Sequence, residues 1–184
     1  MLFDEVTASS LVRINGEGRP LYPTPHEVNR AGFVIHSAIH EARPDVHCVL
    51  HIHSRAGTAV SAQRDGLLPI SQQASLVLGS LAYHDYEGIA VHDEERPRLQ
   101  RDFGGATHFM LRNHGLLVAA SSTAAAFWHM YIFETACQIQ IAAQSGGSPL
   151  IEVSRAILDG ADQAASKVAE RPPSELAWPA LLRR

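Results

Sequence analysis

The chain has 184 residues, 46% of them hydrophobic, and a formal net charge of −4. That is enough apolar material for one domain with a proper core, and the mild acidity, with no Lys/Arg run before Arg183-Arg184, excludes a nucleic-acid backbone as an expected partner. No apolar run approaches the ~20 residues that span a bilayer, and the acidic start Met1-Leu2-Phe3-Asp4-Glu5 is unlike a signal peptide, so the sequence reads as a soluble, cytoplasmic protein without a membrane partner.

Leu11-Val12-Arg13-Ile14 alternates and runs into Asn15-Gly16, which predicts a short opening hairpin; residues 20–25 read as loop. Across 28–42, Ala31, Val34, Ile35, Ala38, Ile39 and Ala42 recur at helical spacing, and Arg43-Pro44-Asp45 stops that helix. A strand is expected over 46–53. Ser54 then caps a small-residue helix, 56–63, whose free N–H groups are expected to form an anion seat beside the strand end. Residues 67–70 read as a strand, 72–78 as a helix, 81–83 as a strand before the turn at Glu87-Gly88, and 94–102 as a helix ended by Gly104-Gly105. Two strands, 108–112 and 116–119, bracket Asn113-His114-Gly115. The longest helix covers 123–144, with Ser121 or Ser122 as its cap and Phe127, Trp128, Tyr131 and Phe133 assigned to core or subunit contacts. Residues 151–170 and 174–182 are further helices, the last weakly anchored. Cys48 and Cys137 read as free, small hydrophobes rather than a disulfide. Strands that follow one another through short turns exclude a purely parallel sheet, which leaves an α/β chain whose mixed sheet is covered by helices on both faces.

The pattern that carries chemistry is Val49-Leu50-His51-Ile52-His53-Ser54 together with Leu111-Arg112-Asn113-His114-Gly115. Side chains two apart on a strand share a face, so His51 and His53 can close on one ion. Imidazole is the commonest metal ligand, and three protein ligands with one open position is the usual build of a catalytic zinc site. With eleven histidines in the chain, close pairs also arise by chance. Two features favour ligands over chance: apolar residues enclose the pair, where an unpartnered polar group is costly, and a glycine follows His114. His51, His53 and His114 are therefore the expected ligands of Zn2+ or another divalent transition metal. His36 and His40, four apart on the first helix, make a weaker pair with no third donor at matching spacing. His84 and His92 flank a turn and are expected at the surface, while His26, His47, His108 and His129 carry no pattern.

These segments, with the run from Ala31 to Val46, Leu67-Leu68-Pro69-Ile70-Ser71 and Tyr83-His84-Asp85-Tyr86, resemble the class II aldolase and adducin head-domain family, above all its adducin-like branch. The resemblance covers most of the chain between Leu2 and Gly147. It implies a three-layer α/β/α sandwich around a mixed, mostly antiparallel sheet, a His triad holding zinc or a similar divalent ion, and a fourfold homo-oligomer with each site near a subunit boundary. In the aldolase members it further implies Lewis-acid stabilisation of the enediolate formed from a ketose phosphate. The expected substrate is thus a small, sugar-phosphate-like carbonyl compound, and the expected activity that of a lyase, isomerase or decarboxylase.

The departures matter equally. Aldolases of this family place a Glu one turn before the helix His as the acid and base, and that position here is Gly32. Gln73 stands near the position of a Tyr that aldolases supply from a neighbouring subunit. Family members generally begin earlier, so residues 1–184 are expected as a single domain without the family's N-terminal segment. Glu27 and Glu41, the nearest acids, read as surface carboxylates, and His36 as a residue packed beneath the site; no catalytic acid or base is assigned. The alternative to an enzyme is a catalytically silent, adducin-like assembly module of cytoskeletal type that keeps the metal site; a small-molecule-binding domain without chemistry is the third reading.

Overall fold

The computed structural model describes residues 2–161, 164, 167 and 171–183. Four strands, β1 (Cys48–Ile52), β2 (Leu81–His84), β3 (His108–Leu111) and β4 (Gly115–Ala120), form one sheet in the order β1-β4-β3-β2. β1 and β3 both pair antiparallel with β4, and β2 pairs parallel with β3. The parallel pair requires a crossover, which the 3-10 turn Asp93–Glu95 and helix α4 (Arg96–Phe103) supply.

Alternation along the strands separates two cores. On one face Phe109, Leu111, Leu117 and Ala119 pack with Val34, Ile35 and Ile39 of α1 (Arg30–Ala42) and with Leu99 and Phe103 of α4. On the other, Met110, Leu116 and Val118 meet Val60 of α2 (Arg55–Ser61), Val77 of α3 (Gln72–Leu78) and Met130 and Phe133 of α5 (Thr123–Ser145). Each large apolar side chain buried in this way stabilises the fold by ~1.5–3 kcal/mol. The result is the expected three-layer α/β/α arrangement around a mixed, mostly antiparallel sheet. Among the described residues no helix is long and apolar enough to cross a membrane.

Four helices start where a side chain accepts an otherwise unpaired N–H: Asn29 caps α1 at Gly32, Ser54 caps α2 at Gly57, Ser71 caps α3 at Ala74 and Ser122 caps α5 at Ala125. Cys48 and Cys137 are free thiols in the same core.

Three expected elements differ. Residues 67–70 are not a strand, because their backbone bonds with side chains: Leu67 N–H donates to Tyr83 Oη (3.1 Å) and Leu68 N–H to Gln140 Oε1 (2.7 Å). The opening hairpin shrinks to one bridge between Ile14 and Pro20, its turn held by Asn15 Oδ1, which accepts from Glu17 N–H and Arg19 N–H. Of the helix expected over 151–170, one turn is seen at Arg155–Leu158; positions 162, 163, 165, 166 and 168–170 lie outside the described residues. The helix Pro173–Leu181 rests on α5, with Trp178 5.9 Å from Phe127.

His108, which carried no sequence pattern, is almost fully buried on β3. Its Nδ1 lies 2.8 Å from Ser80 Oγ, its Nε2 3.2 Å from His129 Nδ1, and its ring meets Phe133 edge-on. Burial, and secondarily His129, pull its pKa down to about 3. The unfolded chain, with His near 6.5, takes up this proton first as pH falls. The stability that neutral His108 permits is therefore complete above pH 6.5 and lost progressively towards pH 3. Urea denaturation between pH 7 and 4 is expected to show His108→Gln with a shallower loss of stability than the parent, by up to about 1.4 kcal/mol per pH unit.

Candidate metal centre

β1 delivers two of the three histidines. Pairing of β1 with β4 sets His51 opposite Leu117, and His51 Nδ1 lies 2.8 Å from the Leu116 carbonyl oxygen. A carbonyl only accepts, so Nδ1 carries the proton and Nε2 keeps its lone pair. That Nε2 is 2.8 Å from His53 Nε2 and 3.3 Å from His114 Nε2. The three donor atoms all lie within 4.8 Å of one another.

Tetrahedral zinc at ~2.0–2.1 Å from each nitrogen would hold the nitrogens roughly 3.3 Å apart. The His51–His114 spacing already has that value, and His53 must retreat by about half an ångström. Burial, the largest cause, lowers the His51 pKa to about 4, with His114, His53 and His36 adding to it against the Leu116 carbonyl. Burial and then His53 also lower that of His114. Both rings are neutral at pH 7 and free to ligate, so the donor set fits a divalent ion.

His114 is presented by a tight turn between β3 and β4. Asn113 adopts φ 56°, the left-handed region, and His114 N–H donates to the Leu111 carbonyl oxygen at 3.1 Å. α2 secures this turn from outside, since Thr58 Oγ1 donates to the His114 carbonyl oxygen at 3.1 Å. Gly115 is required by space: a Cβ there would collide with the Ile52 carbonyl oxygen and stand 3.2 Å from His53 Cδ2. The expected anion seat at the start of α2 has a carboxylate of the chain itself beside its capping residue. The helix has only seven residues, and its capping Ser54 gives its hydroxyl hydrogen to the Glu134 carboxylate of α5.

His53 and His114 open onto a cavity of about 850 Å³ that Arg55, Thr58, Tyr86 and Asn113 also line. The Tyr86 ring lies 6.3 Å from that of His114. Ala31 faces this cavity, but Gly32 lines a second one of about 700 Å³, with His36, His40 and Glu41. A Cβ at Gly32 would meet only the Asn29 side chain, at 3.9 Å, and the residue is helical, so neither strain nor crowding dictates glycine.

His36, one turn on, is edge-on to His51 at 6.4 Å, beneath the triad as expected. His40 Nδ1 is turned to the Val46 carbonyl oxygen at 3.2 Å rather than to His36. Glu41 pairs with Arg96 at 2.9 Å and is largely exposed, Glu27 is exposed, and neither they nor Gln73 line the triad's cavity.

Tyr86, Arg55, Thr58 and Asn113 join the site by position alone, next to a ligand or on a facing loop, and sequence reasoning did not single them out. His84 corrects an expectation: instead of lying at the surface it is 4% exposed. Its Nδ1 is 2.7 Å from Asp102 Oδ2, which ties the start of the Tyr86 loop to α4, while its Nε2 faces Glu95 Oε1 of the 3-10 turn at 3.4 Å without a hydrogen bond.

This fold matches known proteins. Residues 1–141 match the model of the class II aldolase and adducin N-terminal domain, and the chain belongs to that family. It is 49% identical to a candidate class 2 aldolase protein of Pseudomonas aeruginosa, over all of this chain and 72% of that one. It is 48% identical to rat alpha-adducin over 80% of its own length, spanning 20% of the adducin. Among solved structures, an aldolase II superfamily protein from Pseudomonas syringae superposes with a TM-score of 0.92 at 47% identity, over 100% of this chain and 74% of that one. The L-fuculose 1-phosphate aldolase of Glaciozyma antarctica gives 0.75 at 27% identity, over 86% and 61%.

Gly115→Ala is expected to destabilise the fold by ~1–3 kcal/mol, as overpacking does, and to weaken zinc uptake by pushing β1 from the turn. Urea denaturation and a zinc titration check both; a variant unchanged in both would refute the packing argument.

Proposed function

We propose that this protein is a metal-dependent aldolase-type lyase whose single divalent ion, zinc or a similar metal, is held by His51, His53 and His114. The observation that carries this reading is the convergence of three imidazole nitrogens beside a cavity large enough for a small oxygenated carbonyl compound. Bound there, a divalent ion supplies Lewis acidity to a carbonyl or hydroxyl oxygen. The chain's own residues do the rest. The Leu116 carbonyl fixes the His51 ring, Thr58 and Asn113 fix the turn that presents His114, and Tyr86 and Arg55 border the space in which a substrate sits. The Pseudomonas aeruginosa relative and the fuculose 1-phosphate aldolase support lyase chemistry.

One observation favours the second reading, a silent adducin-like module: no carboxylate lines the triad's cavity, and Gly32 stands where the aldolases of the family carry their acid and base. Positioned acid–base assistance is worth ~10²–10⁴-fold, so retro-aldol turnover in the parent is expected to be weak. On either reading the protein is proposed to be cytoplasmic and to assemble as a homotetramer with the site near a subunit boundary.

Elemental analysis of zinc-loaded protein should find one ion per chain in the parent and none in His51→Ala or His114→Ala; equal stoichiometry in all three would reject the triad. Gly32→Glu, for which the backbone has room, is expected to raise cleavage of a ketose 1-phosphate above the parent. Strong cleavage by the unmodified protein would place the acid elsewhere. Light scattering at micromolar concentration that finds only a 20 kDa species would reject the tetramer.

A further inference from the structure

The cavity beside the triad has a one-sided charge. Apart from the two histidines, Arg55 is its only ionisable side chain that is positive at neutral pH, and no Asp or Glu lines it, although the chain as a whole is acidic. Arg55 is the first residue of α2, two positions beyond His53, and two residues of chain span at most ~7 Å. Arg55 lines the same cavity that His53 and His114 enter. Seven other arginines are ion-paired: Arg19, Arg30, Arg43, Arg96, Arg98, Arg101 and Arg155. Arg55 has no such partner among the described residues, nor any hydrogen bond to one. The Glu134 carboxylate, which accepts from the Ser54 hydroxyl next to Arg55 in sequence, makes no ion pair with it.

We propose that Arg55 selects the ligand of this site by binding its carboxylate, so that the molecule whose carbonyl or hydroxyl oxygen faces the triad is a short oxo or hydroxy acid. The inference rests on the metal-site reading above and narrows its substrate class. The planar guanidinium fork matches the two oxygens of a carboxylate in bidentate fashion. A phosphate ester would find only one guanidinium among the lining side chains, with no lysine and no second arginine to pair with its third oxygen. Asn113, Thr58 and Tyr86 offer neutral hydrogen-bonding groups for hydroxyls, and Ile89 an apolar wall.

Three probes share a hydroxymethyl ketone and differ only at the far end: hydroxypyruvate with a carboxylate, dihydroxyacetone with a neutral hydroxyl, and dihydroxyacetone phosphate. Calorimetric titration of the zinc-loaded full chain is expected to give hydroxypyruvate a Kd roughly 10- to 100-fold below that of dihydroxyacetone, the range for a charge-assisted hydrogen bond. Arg55→Gln should erase that ratio with zinc stoichiometry and the dihydroxyacetone Kd unchanged, and Arg55→Lys should restore part of it. A ratio near one in the parent, a ratio that survives in Arg55→Gln, or tighter binding of dihydroxyacetone phosphate than of hydroxypyruvate would each overturn the proposal. If the parent takes up no zinc, the metal-site reading fails by itself. Arg55 is then judged on whether zinc-free protein binds hydroxypyruvate and loses affinity in Arg55→Gln; absence of that loss overturns the proposal.

Discussion

His51 Nδ1 donates to the Leu116 carbonyl oxygen, a bond that exists only because β1 and β4 pair in the one register that sets His51 opposite Leu117. A slip of one residue would turn His51 to the α5 side of the sheet and Leu50 and Ile52 to the α1 side, exchanging an imidazole for apolar side chains on both faces. The register is locked by two cores at once, since the β4 residues Leu117 and Ala119 pack on one face and Leu116 and Val118 on the other. The same strand pair brings Gly115 against the Ile52 backbone, which sets the closeness of His53 and His114. The geometry of the histidine cluster is thus a consequence of sheet packing, and the burial that depresses the His51 pKa comes from the same contacts.

The first turn of α1 divides the open space near the triad in two. Ala31 faces the cavity that His53 and His114 enter, whereas Gly32 and His36 face the other. Residue 32 and the three histidines belong to different layers, so a change at position 32 leaves the elements that carry the histidines in place. The histidines belong to the sheet and its β3–β4 turn, and the acid or base would belong to a helix packed on it. Relatives of this chain include both candidate aldolases and adducins.

Buried polar groups tie the remaining elements together. His84 joins β2 to α4 through the bond of its Nδ1 with Asp102, and Gln140 of α5, fully buried, accepts from Leu68 N–H while its amide donates to Gln63 Oε1 and the Gly66 carbonyl oxygen. Removing one partner from such a set leaves a desolvated polar group, at a cost of ~1–3 kcal/mol. The His84 contact steadies the loop that carries Tyr86 to the cavity, and the Gln140 contacts hold the segment 63–68 where no strand ladder does.

Local signals determined much of the chain without tertiary help. α3 begins and ends as its capping Ser71 and apolar spacing dictate, α1 stops at Arg43-Pro44-Asp45, and the alternation of His51 and His53 with a glycine after His114 marked the three ring nitrogens that the structure brings together. Each of these rests on residues within a turn or two of one another. What only the tertiary structure decided depends on partners far away in sequence. Residues 67–70 lost their strand to Tyr83 and Gln140, 16 and 72 positions from the groups they bind, and His84 is buried because Asp102 lies on a helix 18 residues on. Arg55 and Tyr86 meet across one cavity for the same reason. Hydrophobic periodicity reports which face of an element is buried, whereas the identity of a polar partner is set by the packing of whole layers, and no local spacing encodes it.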